Sequence, residues 1–112
     1  MPNLRGVGGE GEDQAAEYLI GKGYTIVTRN FHSRRGEIDL VALDGDQLVV
    51  VEVKYRRTRG EPAEVAFDHR KTERLMNAAE DYLKVVEDPE RSVRYDLIAI
   101  DLDGLRHHIA AL

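Results

Sequence analysis

Apolar residues first recur at helical spacing at Ala15, Ala16, Leu19 and Ile20. This stripe predicts a helix over 10–22, stopped by Gly21 and Gly23. A β-branched run predicts a strand over 24–29. A second strand is expected over 37–43, opened by Gly36. Turn chemistry at Asp44-Gly45-Asp46 leads into a third over 47–55, which carries Val49, Val50, Val51 and Val53. The polar stretch 56–67, with Gly60 and Pro62, reads as a loop. The longest helix is predicted over 68–86, with Leu75, Ala79, Tyr82, Leu83 and Val86 on one face and Asp88-Pro89 beyond its end. A strand over 94–101 is apolar on both faces at Leu97-Ile98-Ala99-Ile100, which places it inside a sheet. Asp103-Gly104 turns into a last short strand over 105–110. The order α-β-β-β-α-β-β implies an α/β domain, a mixed β-sheet with flanking helices.

The 112 residues suit one domain over 1–112. Gly6, Gly8, Gly9 and Gly11 predict a loose start over 1–9. Those glycines formally match G-x-G-x-x-G, but no strand can precede them, so a dinucleotide site is rejected. No apolar run approaches the roughly 18 residues that span a bilayer, and no signal peptide is legible. A soluble, cytoplasmic protein without membrane contact is therefore expected. With no cysteine in the chain, disulfides, zinc–thiolate sites and thiol nucleophiles are excluded. Any metal must be held by oxygen or imidazole.

The net charge of -5 argues against bulk electrostatic coating of nucleic acid. Its distribution is uneven. Over 54–74, Lys54, Arg56, Arg57, Arg59, Arg70, Lys71 and Arg74 outnumber Glu61, Glu64, Asp68 and Glu73. A local basic patch of this kind can hold a phosphate backbone. Arg56, Arg57 and Arg59 on the loop, Lys71 and Arg74 on one helix face, and Arg34 and Arg35 before the second strand are the candidate phosphate contacts. A merely solvated charged surface is the alternative. His32, His69, His107 and His108 show no metal-ligand spacing.

Glu52 and Lys54 interrupt an apolar strand, on the same face as Leu48 and Val50. With Gly45-Asp46 as a type II′ loop, Val41 faces Val50, Asp39 faces Glu52 and Glu37 faces Lys54. Two carboxylates this close repel, and a hard divalent cation relieves the repulsion. Glu12 extends the apolar stripe of the first helix, so it points inward toward the same pair. The alternative is a structural ion pair of Lys54 with Glu37 or Glu52.

Gly36-Glu37-Ile38-Asp39-Leu40-Val41-Ala42 and Val51-Glu52-Val53-Lys54-Tyr55-Arg56 resemble the bacterial YraN family. Gly11-Glu12, Gly23-Tyr24, Asn30, Lys71, Ala78-Ala79 and Arg94-Tyr95-Asp96 extend the likeness over nearly the whole chain. That family is similar to the restriction-endonuclease-like, PD-(D/E)xK nucleases, in particular archaeal Holliday junction resolvases. The resemblance implies the corresponding fold. It implies Mg²⁺ or Mn²⁺ held by Asp39, Glu52, Glu12 and the Val53 carbonyl, with Lys54 orienting or activating water. Ile38 stands where the superfamily pattern has proline. The implied activity is endonucleolytic hydrolysis of structured or branched nucleic acid, DNA being the expected form, with a homodimer as a candidate assembly. The rival expectation is a non-catalytic nucleic-acid-binding or adaptor module that keeps the pocket.

Overall fold

The computed structural model describes residues 9–112. Its elements are α1 (Gly9–Gly21), β1 (Thr25–Ser33), β2 (Gly36–Asp44), β3 (Gln47–Tyr55), a one-turn 3₁₀ helix (Ala63–Ala66), α2 (His69–Val85), β4 (Val93–Asp101) and β5 (Gly104–His108). The order is the one the periodicities predict. Gly9 and Gly11 are both helical and buried, so the loose start does not extend to them. Gly6 and Gly8 lie outside the described residues.

One five-stranded sheet runs β1-β2-β3-β4-β5. β1, β2 and β3 form an antiparallel meander, β4 is parallel to β3, and β5 is antiparallel to β4. A parallel pair needs a long crossover, and α2 supplies it. Asp68 starts α2 as its N-cap, its side chain accepting from the Lys71 N–H at 3.0 Å. α1 ends with Tyr24 N–H bonded to the Leu19 carbonyl across Gly23, whose φ of 95° favours glycine.

The two helices cover opposite faces of the sheet. Ala15, Ala16 and Leu19 of α1 pack on Leu40, Ala42, Val49, Val51, Ile98 and Ile100. Leu75, Ala78, Ala79, Tyr82 and Leu83 of α2 pack on Ile38, Val41, Leu48 and Val50. Two residues expected in the helix stripes are outside them. Ile20 is 57% exposed, and Val86, the α2 C-cap, is 46% exposed.

β1 runs to Ser33, four residues past the predicted end, because Phe31 and His32 still pair with Ile38 and Glu37. The polar loop after β3 is tied down in its second half. Ala63 N–H donates to Asp101, and Arg106 clasps Glu64 and Asp101 together at 2.7 Å each. Among the described residues no helix is long and apolar enough to cross a membrane.

Candidate metal and nucleic-acid site

The β2–β3 ladder has the predicted register, Val41 opposite Val50 and Asp44 opposite Gln47. Gly45 has a φ of 61°, and Asp46 is not in the left-handed region, as a type II′ loop requires. The ladder stops at Leu40–Val51. The expected direct oppositions of Asp39 with Glu52 and Glu37 with Lys54 therefore do not form. β2 also changes facing here: Leu40 packs toward α1, whereas Ile38 packs toward α2. Strict alternation would put both on one side. Across β1 the same point is marked by Asn30, whose φ is 56°.

Asp39 sits in the seam that this parting leaves. Its Oδ2 accepts from the Val53 backbone N–H at 2.8 Å, so Asp39 reaches β3 through the main chain. Glu12 approaches from α1 to the side chains of Asp39 and Asn30. Burial raises the Glu12 pKa. Burial also pushes the Asp39 carboxyl up to about 6, aided by the charge of Glu12 and opposed by the Val53 N–H. Three elements thus bring two acids into contact.

Glu52 and Lys54 project from β3 toward α2, on the face predicted for them. Lys54 Nζ lies 2.9 Å from Glu52 Oε2, and both side chains are largely buried. Of the two carboxylates considered for Lys54, Glu52 is its partner. Burial pushes the Glu52 pKa up to about 7, Asp39 adds to the rise, and Lys54 holds it down. Lys54 is desolvated, yet its bond to Glu52 and the charges of Glu52 and Asp39 together outweigh that and keep its pKa above the ordinary lysine value.

Glu52 and Lys54 open into a cavity of about 240 Å³ also lined by Glu37, Lys71, Arg74 and Leu75. Lys71 faces the Lys54 ammonium, and this neighbouring cation lowers its pKa. Gly36 fixes the cavity's wall: a Cβ there would lie 2.2 Å from the Arg74 carbonyl oxygen. Only glycine lets the start of β2 lie against α2 so closely.

The remaining candidate cations lie elsewhere. Arg35 is committed to α2, donating to Glu80, Asp81 and the Asn77 carbonyl. Arg34 is exposed on the β1–β2 turn. Arg56 donates to the Glu61 carbonyl at 2.7 Å, and Arg57 lies 3.7 Å from Glu10. Arg59 borders a second cavity with Thr58, Glu61, Asp101 and Asp103. Lys71 and Arg74 alone of the predicted phosphate contacts join Glu52 and Lys54. Asp96, buried at 1% exposure, is a structural partner of Arg94 and also meets His107 at 2.8 Å.

Among the described residues, no group of three or more His, Cys, Asp or Glu stands ready-made to hold a metal ion. The donor chemistry still fits a hard cation. Every acid concerned presents oxygen, and burial raises the pKa values of Glu12, Asp39 and Glu52, with neighbouring carboxylates adding to the rise. Asn30 is a site residue the sequence reading missed. Its signals are its place in the family resemblance and the tolerance of asparagine for the left-handed backbone it adopts here.

The model of the "Uncharacterised protein family UPF0102" matches residues 11–100. The chain belongs to UPF0102. A UPF0102 protein of Chlorobium limicola is 44% identical over 101 residues, covering 88% of this chain and 78% of that protein. One from Persephonella marina is 41% identical over 101 residues, 89% of this chain and 87% of that protein. One from Alcanivorax borkumensis is 41% identical over 109 residues, 93% of this chain and 87% of that protein. The UPF0102 match spans α1 to β4, the stretch that contains Glu12, Asp39, Glu52, Lys54 and Lys71. It bears out the family resemblance drawn from the two central motifs.

Proposed function

We propose that this UPF0102 protein is a divalent-metal-dependent endonuclease acting on structured or branched DNA. The observation that carries the reading is the Glu12–Asp39 contact in the β2–β3 seam, beside Glu52 and two lysines. Two acids held together where burial desolvates them are expensive in a protein unless a cation joins them. Ammonium groups beside them suit a substrate that is itself an anion.

Asp39, Glu52, Glu12 and the Val53 carbonyl would hold Mg²⁺ or Mn²⁺. When bound, such an ion neutralises phosphate charge and lowers the pKa of a water nucleophile. Asp39 is oriented for this work by the Val53 N–H, which occupies one lone pair of Oδ2. Glu12 is oriented by Asn30. Lys54 would leave Glu52 to face the attacked phosphate, where its charge counters that developing on the non-bridging oxygens. Hydrolysis joins the water oxygen to phosphorus and breaks one phosphorus–oxygen ester bond. The departing alkoxide takes up a proton.

The closed Glu52–Lys54 pair favours a second reading. A nucleic-acid-binding or adaptor module that never cleaves would keep that pair shut. The experiment that separates the two is a titration of Mg²⁺ and Mn²⁺ against a panel of linear, flapped and four-way DNA, with matching RNA. Cleavage by wild type that disappears in Glu52→Ala supports the nuclease. Binding without cleavage at any metal concentration supports the adaptor.

A further inference from the structure

The cavity beside Glu52 carries more positive charge than its own carboxylates use. Of its two acids, Glu52 is taken by Lys54 at 2.9 Å. The other, Glu37, is exposed and lies 3.7 Å from His32 on β1. Lys71 and Arg74 line the same cavity and form no ion pair with a carboxylate among the described residues. Lys71 instead faces Lys54 in that cavity, with Glu52 as the single carboxylate beside both. One carboxylate among three cations leaves a surplus of positive charge that a further anion would neutralise.

The arrangement is also built to stay in place. Arg74 is one turn beyond Lys71 on α2 and borders Leu75, which is buried in the core. Its main chain is pinned by Gly36, where no side chain fits. The first turn of α2 is fastened by Asp68 to the Lys71 N–H. Arg35, by contrast, is neutralised by Glu80 and Asp81 and has no charge to spare for a ligand. Lys71 and Arg74 thus bring two cations without an ion-pair partner among the described residues to the β2-facing start of α2.

We infer that Lys71 and Arg74 form a phosphodiester subsite of their own, next to the Glu12–Asp39–Glu52 carboxylates. It receives a backbone phosphate of the bound strand neighbouring the one at those carboxylates. Lys71 supplies a point charge near Lys54. Arg74 supplies a planar donor fork for two phosphate oxygens. Both are positioning residues: they hold the strand and touch no reacting atom. The inference rests on the nucleic-acid reading proposed above.

The test is equilibrium binding of the full chain to a fluorescein-labelled four-way DNA junction, and to the same junction in RNA, in EDTA over 50–300 mM salt. Lys71→Gln, Arg74→Gln and, as a control at the far end of α2, Lys84→Gln are compared with wild type. Each of the first two should weaken binding about tenfold and reduce the log–log salt slope by roughly 0.7–0.9. Lys84→Gln should match wild type, Lys71→Arg should restore most of the affinity, and thermal unfolding should show every variant folded. If wild type binds and Lys71→Gln and Arg74→Gln bind equally well with unchanged slope, the subsite is refuted while the nucleic-acid reading stands. If wild type binds neither DNA nor RNA at 50 mM salt, that reading fails and the subsite with it.

Discussion

The Asp39 carboxylate accepts a 2.8 Å hydrogen bond from the Val53 N–H, beyond the point where the ladder between their strands has ended at Leu40–Val51. A regular hairpin would use that N–H in the sheet. Here it goes to a side chain, and the two strands part around it. Asp39 is thereby placed between the α1 face, where Glu12 stands, and the α2 face, where Glu52 stands.

That position makes stability depend on pH. The Asp39 and Glu52 carboxyls are raised to about 6 and about 7, from ordinary values of 3.8 and 4.5. Between those limits the folded state holds more protons than the unfolded chain, so stability falls as pH rises. The metal-free protein should be more stable at pH 5 than at pH 8, by an amount of order 2 kcal/mol. Asp39→Asn should remove a large part of that slope. Urea midpoints across pH 4–8 check it, and parallel curves for wild type and Asp39→Asn would refute the charge clustering.

Divalent metal should reverse the effect. At pH 8, ligand present at ten times its Kd stabilises a folded protein by about 1.4 kcal/mol. Mg²⁺ or Mn²⁺ should therefore raise the melting temperature of wild type, and Asp39→Asn and Glu52→Gln should lose the rise. Equal shifts in all three proteins would show that the ion binds elsewhere.

Lys54→Ala separates a structural role from a chemical one. The substitution leaves Glu52 largely buried without its partner, which should cost about 3 kcal/mol at pH 8. The loss should shrink below pH 7, where Glu52 is protonated. If Lys54 also faces the phosphate, the folded fraction at pH 8 should cleave far more slowly than wild type. Folded Lys54→Ala that cuts at the wild-type rate would leave it only the ion-pair role.

Gly11→Ala pits two effects against each other. Alanine is about 1 kcal/mol better than glycine inside a helix. At this site its Cβ would lie 2.6 Å from the Tyr55 Cβ, a backbone-anchored atom that cannot swing away. Overpacking of this kind costs about 1–3 kcal/mol, so the clash should win. α1 should shift off β3 and carry Glu12 with it, lowering both the melting temperature and the metal-induced rise. A Gly11→Ala protein more stable than wild type would show that α1 is free to move there.

Local pattern determined most of the architecture. Helical spacing at Ala15, Ala16 and Leu19 and the valine run of β3 each specify an element, because periodicity and burial act over a few residues. The tight turn at Gly45 sets the β2–β3 register, so the inward facing of Glu52 and Lys54 follows from counting residues. Tertiary structure alone decided where that register ends. The parting of β2 and β3 at Leu40–Val51, the left-handed Asn30 on the neighbouring strand and the arrival of Glu12 from α1 depend on three segments packing at once. The fates of the arginines were equally hidden. Arg35 and Arg74 look alike in sequence, but Arg35 meets Glu80 and Asp81 across the fold, while Arg74 is held by Gly36 at the cavity rim. Charge pairing between distant segments has no period along the chain, and so leaves no pattern to read.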